Sequence, residues 1–170
     1  MKILMIIAPG KFRDEELLEP KKVFEKNKYK VEIASSVKKE LKGMLNNTIT
    51  PDLLIKDVKV KDYKAIVFVG GPGIDDFKLY ENEEFLELAK KFAEKDKVVA
   101  AICAAPKILA KAGLLKGIKC TVFGDHDNIE MLKSENAKYS GESIEADGKI
   151  ITAEGMQVAE EFAEKILEVI

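Results

Sequence analysis

Lys97–Pro106 reads KVVAAICAAP, and its interpretation decides the fold. Val98 to Ile102 is a short unbroken apolar run, the pattern of a strand buried on both faces of a sheet. Cys103 follows at once, then Ala104, Ala105 and Pro106, and then the helical pattern KILAKAGLL. A strand that turns sharply into a helix through one nucleophilic residue lifts that side chain into a cleft with little crowding. Such a turn is expected to be strained. The helix start also aims free N–H groups and a positive dipole end at the sulfur, which favours thiolate. Taken alone, the junction fits a reactive cysteine and a small buried hydrophobe equally well.

Working outward, the chain alternates strands and helices. Ile3–Ile7 reads as a strand, followed by the loop APGKFRDEE and a helix through about Asn27. Lys30–Ala34 is a second strand, and Leu41–Thr50, with Gly43 and the Asn46-Asn47 pair, reads as a small hairpin laid on the sheet edge. Ala65–Val69 is an apolar strand ending in Gly70-Gly71-Pro72-Gly73, with a helix near Asn82–Glu94. The helix after Cys103 stops at Gly113, Ile118–Phe123 is another strand, and Asn128–Ser134 a short helix. Ser143–Ala146 and Lys149–Thr152 flank Asp147-Gly148, a two-residue hairpin signal, and an amphipathic helix over about Gln157–Val169 closes the chain. The alternation implies an α/β protein with a mostly parallel sheet covered on both faces. No repeat or linker divides residues 1–170, which read as one domain. Ligands in such sheets bind beyond the carboxyl ends of the strands, which selects the loops after Ile7, Val69, Ile102, Phe123 and Thr152.

Composition excludes several classes. Lys+Arg at 28 and Asp+Glu at 30 leave a net charge of −2, so no basic field points to nucleic acid. No apolar run approaches the ~20 residues of a membrane span, and MKILMIIA lacks the features of a signal peptide. The two cysteines, Cys103 and Cys120, have no metal-type spacing, and a reduced, cytoplasmic setting is expected. Abundant Glu and Lys, a single Gln and no Trp lean toward a thermophilic source. No cofactor is expected. The Gly70–Gly73 segment lacks P-loop spacing, and Ala8–Phe12 lacks the Ser/Thr-rich phosphate cradle of an FMN module.

Three pieces can converge at the strand ends. Cys103 is the first. The second is the acidic run Asp14, Glu15, Glu16 and Glu19, where one carboxyl near a sulfur would set its protonation. Asp14, Glu15 and Glu19 read instead as residues that complement a helix start. The third is the glycine turn, whose Gly71 amide with that of Ala104 would form an oxyanion hole beside the sulfur. His126 is the only histidine, and it lies just past a strand end. It is a candidate base, although Asp127-Asn-Ile-Glu130 resembles a capping box that would leave it an exposed loop residue. Cys120, in the middle of a strand, reads as core.

On these residues the chain resembles the ThiJ/PfpI family, the DJ-one superfamily, almost end to end. The carriers are FRDEELLEP at Phe12–Pro20, IVFVGG at Ile66–Gly71, AAICAAP at Ala100–Pro106 and DGKIITA at Asp147–Ala153. The resemblance implies a flavodoxin-like three-layer α/β/α sandwich and a homodimer or higher assembly. Counting back from Pro20 it places the family's cysteine-adjacent glutamate on Glu16. It implies a protonated carboxyl, a cysteine easily oxidised to the sulfinic acid, and action on reactive aldehydes, glycation adducts or peptides. Other family members are redox or stress sensors. The departures are specific. The position directly after the cysteine, a histidine in PfpI-type peptidases, is Ala104, and the other family histidine slot is Phe123. Thr152-Ala-Glu154 replaces a Thr-Ser-Arg near the last strand. Peptidase chemistry is therefore disfavoured, and aldehyde or glycation-adduct chemistry, which can run on one carboxyl, is the leading expectation. Oxidation sensing through Cys103 is the non-enzymatic alternative.

Overall fold

A computed structural model describes residues 1–170. Lys2–Ile6 (β1) leads through the loop at 7–13 into Asp14–Lys26 (α1), and Lys30–Ser35 (β2) returns beside β1 in parallel. Leu41–Lys42 (β3) and Thr48–Ile49 (β4) pair with each other, and Leu53–Leu54 (β5) extends the edge beyond β2. Ala65–Phe68 (β6), a single turn at Gly73–Asp76 (α2), Glu83–Glu94 (α3), Val98–Ile102 (β7) and Pro106–Lys111 (α4) follow. Lys119–Cys120 (β8), His126–Ser134 (α5), Lys138–Tyr139 (β9), Ile144–Asp147 (β10), Ile150–Ala153 (β11) and Ala159–Val169 (α6) complete the chain.

The main sheet has seven strands in the order β10-β11-β7-β6-β1-β2-β5. Every pairing in it is parallel except β10 with β11. Strand order reverses at β1, where the chain steps first to β2 and then crosses to β6 on the other side. The carboxyl ends of β1 and β6 therefore open a crevice at the switch point.

Period-two alternation divides the central strands between two cores. On β1 and the two residues after it, Ile3, Met5 and Ile7 face one layer and Leu4, Ile6 and Ala8 the other. The first layer is α1 and α6, the second α3 to α5. Phe85, Leu88, Ala89 and Phe92 of α3 recur at helical spacing and are buried, as are Ala159, Phe162, Ala163 and Ile166 of α6. Each such large side chain contributes roughly 1.5–3 kcal/mol by leaving water. The result is the three-layer sandwich that the alternation implied. No helix is long and apolar enough to cross a membrane.

Several local expectations are corrected. The 41–50 hairpin does not join the sheet edge, because hydrogen bonds fold it over the loop after β1. Lys11 N donates to Lys42 O at 2.8 Å and Met44 N to Phe12 O at 3.0 Å. The true edge is β5. Of the strand expected over Ile118–Phe123, only Lys119–Cys120 pairs, with β9 and outside the main sheet. The cap of α5 is Asp125, two residues before the expected box, so the helix begins at His126. The hairpin turn sits at Gly148-Lys149, one residue later than read, with Gly148 at φ 59°.

Candidate active site

Cys103 sits at the carboxyl end of β7 with φ +64°, a left-handed backbone that non-glycine residues rarely adopt. The expected strained elbow is therefore present. Two hydrogen bonds hold it: Cys103 N donates to Ala153 O at 2.9 Å, and Phe123 N donates to Cys103 O at 2.8 Å. The second bond brings the segment after β8 to the cysteine even though that segment is not a sheet strand.

Glu16 lies in the first turn of α1, 1% exposed. It accepts a hydrogen bond from Gly70 N at 3.1 Å, and the Cys103 side chain meets its carboxyl across the same glycine. The meeting depends on a missing side chain. A Cβ on Gly70 would stand 2.5 Å from Cys103 Cβ and 2.5 Å from Glu16 Oε2. Gly71 has φ +113°, and a Cβ there would meet Arg13 N at 2.4 Å. These absent side chains let the loop after β1 clasp the end of β6, where Arg13 N donates to Gly70 O at 2.9 Å and Gly73 N to Lys11 O at 3.0 Å. Pro20 has no N–H for the Glu16 carbonyl one turn back, so the helix is loosened next to the carboxylate it carries.

Burial raises the Glu16 carboxyl to about 7, against the hydrogen bonds from Cys103 and Gly70 and the Arg13 charge, which lower it. Burial likewise pushes the Cys103 thiol up to about 12, helped by the Glu16 charge, while the amides of Gly71 and Ala104 pull it down. Both amides therefore lie against the sulfur. The helix start does not by itself produce a thiolate, because α4 is short and desolvation outweighs it. What the site resists is two negative charges, so near neutral pH Cys103 and Glu16 hold a proton between them.

The sulfur opens into a cleft of about 220 Å3 whose walls include Arg13, Met44, Gly71, Ala104, Phe123 and Asp125. Met44 carried no signal in the sequence, since it reaches the cleft through the hairpin folded over the first loop, and Arg13 lies in the loop after β1 that the strand ends selected without being singled out there. Asp14 explains that hairpin. Its buried carboxylate accepts from Leu45 N at 2.8 Å and Asn47 N at 3.0 Å, so it anchors the turn and does not complement its own helix. Glu15 pairs with Arg13 at 3.0 Å.

His126 is not brought to the sulfur. It is exposed at the start of α5 and lines a polar depression with Lys107 and Asp127 that adjoins the Cys103 cleft across Asp75, Asp125 and Asn128. The cap at Asp125 turns it outward. Cys120 is fully buried, in keeping with a core role. No cluster of three or more His, Cys, Asp or Glu assembles that could hold a metal.

Fold and site together define a class: an α/β sandwich with a strained cysteine elbow facing a buried carboxyl. The chain belongs to the DJ-1/PfpI family, whose model matches residues 1–169. An uncharacterised protein of Methanocaldococcus jannaschii is 47% identical over 99% of this chain and 82% of its own length. A protein of Thermococcus kodakarensis named as a deglycase is 31% identical, covering 90% of this chain and 89% of that one. One from Caenorhabditis elegans, named as a glutathione-independent glyoxalase, is 29% identical, covering 97% and 86%. The crystal structure of a ThiJ/PfpI domain protein from Brachyspira murdochii superposes with a TM-score of 0.94 at 32% identity, covering 99% of this chain and 95% of that one.

Proposed function

We propose that this protein is a cysteine-dependent enzyme acting on 2-oxoaldehydes or on the adducts they form with amines and thiols. The observation that carries the reading is the buried pairing of Cys103 with Glu16 over Gly70, with no histidine in the cleft. The names of the relatives from Thermococcus kodakarensis and Caenorhabditis elegans support the same chemistry. The proposed setting is a reduced cytoplasm, in which the free Cys103 and Cys120 persist as thiols, and the proposed assembly is a homodimer or higher oligomer.

The steps need one thiol and one carboxyl. Cys103 sulfur adds to the aldehyde carbon of methylglyoxal, and its proton, passed through Glu16, reaches the new oxygen to give a hemithioacetal. Glu16 as carboxylate removes the proton from that carbon, and the electrons shift to an enediolate while the amides of Gly71 and Ala104 hold the oxygen. Glu16 returns the proton to the neighbouring carbon and the hydroxyl proton passes from the first oxygen to the second, giving a lactoyl thioester. Water then cleaves the carbon–sulfur bond, releasing lactate and the thiol. Peptide hydrolysis by PfpI-type peptidases, by contrast, relies on a histidine directly after the cysteine; that position is Ala104 here, and His126 stands on the surface.

The test is lactate formation from methylglyoxal without added thiol. Wild type should turn over and Cys103→Ser should not. No turnover above the Cys103→Ser control, with mild peroxide adding two oxygens at Cys103, would replace the enzyme by an oxidation sensor.

A further inference from the structure

Arg13 is the only cation lining the Cys103 cleft, and its bonding is incomplete. Glu15 takes Nε and one Nη2 hydrogen, at 3.0 and 3.1 Å, which fixes the plane of the guanidinium. The other contacts are thioethers: Nη2 to Met156 Sδ at 2.9 Å and Nη1 to Met44 Sδ at 3.4 Å. Sulfur is a weak acceptor, and the fifth N–H has no protein acceptor. A side chain only 24% exposed thus carries under-satisfied charged donors, and Met44 beside its Nη1 lines the same cleft. Of the two acids on the walls, Asp75 is neutralised by Lys107, and Asp125 spends its carboxylate on Asn128. A planar guanidinium with an open edge is suited to a carboxylate, which it can grip with parallel hydrogen bonds.

We propose that Arg13 is the anion-recognition residue of this cleft, so that the preferred substrates are aldehydes or glycated amino acids carrying a free carboxylate. The inference deepens the enzyme reading above, since it rests on Cys103 as the nucleophile and names what the rest of the substrate looks like. The carboxylate displaces the Met44 contact and meets the Nη1 edge, which holds the reacting carbonyl near the sulfur.

The test compares alkylation of Cys103 by iodoacetate and by iodoacetamide, in which the thiolate displaces iodide and only the reagent's charge differs. Modification is counted by intact mass against Cys103→Ser. In Arg13→Gln the iodoacetate-to-iodoacetamide rate ratio should fall about tenfold, the loss of one charged hydrogen bond, and Arg13→Lys should restore part of it. A change in thiol ionisation or in packing moves both rates together and leaves the ratio alone. An unchanged ratio in Arg13→Gln, with both reagents still reacting, overturns the anion role while leaving Cys103 as nucleophile. No reaction with either reagent in wild type overturns the nucleophile and this inference with it.

Discussion

Cys103 and Glu16 compete for one proton in a place where water cannot help either of them. Glu16 is displaced upward from 4.5 to about 7, first by burial. Its sign in the stability balance follows directly. The folded carboxyl binds a proton that the unfolded one releases, so the contribution is full below about pH 4.5 and is lost as pH rises through about 7. The change is on the order of 3 kcal/mol. Thermal melts of wild type should therefore drop between about pH 5 and about pH 8, and Glu16→Gln should flatten that drop. Equal slopes for the two proteins would contradict the buried-carboxyl account. At this scale the sequence was informative about identity and silent about orientation. Cys103 stood out as the residue between a buried strand and a helix, and it was the family resemblance, counted back from Pro20, that singled out Glu16 among its acidic neighbours. Arg13 could not be found, because its neighbours Met44 and Met156 are 31 and 143 residues away.

The elements that make the site are the glycine-rich end of β6 and the hairpin folded across the first loop. Gly70→Ala puts a methyl group within 2.5 Å of both reacting side chains. It should cost roughly 1–3 kcal/mol of stability and about a hundredfold in turnover, read by urea melts and initial rates. Asp14→Ala leaves the amides of Leu45 and Asn47 without their acceptor, and should cost roughly 1–3 kcal/mol while releasing Met44 from the cleft. Proteolysis should then cut first between β3 and β4. Both elements show where local reading stops. The strand-helix pattern and the Gly-Gly strand end were visible because periodicity and backbone freedom are local properties. The hairpin's partners, Lys11, Phe12 and Asp14, are set by tertiary contacts that its own residues do not encode. The shift of the α5 cap to Asp125 is by contrast a local choice between the two Asp residues that flank His126, settled by the hydrogen bond from Asn128 N at 2.8 Å.

For the whole molecule, the three layers divide labour. The strand ends carry the chemistry, and the buried faces of α1, α3 and α6 hold the strands in register. Phe162 on α6 is fully buried in the core shared with α1. Phe162→Ala should cost about 3–5 kcal/mol in chemical denaturation, without changing the pH dependence that Glu16 imposes. This layered architecture was the most legible feature of the sequence, since two-sided burial makes β1, β6 and β7 continuous apolar runs. The dimension missing from the sequence was how the connections lie across the carboxyl ends, and there His126 takes the exposed position that was one of its two readings. The most direct test of the account is the rate of lactate formation from methylglyoxal in wild type, Cys103→Ser, Glu16→Gln and His126→Ala. The account predicts that the wild type and His126→Ala turn over equally and that the other two are inactive. Turnover retained in Glu16→Gln, or lost in His126→Ala, would contradict it.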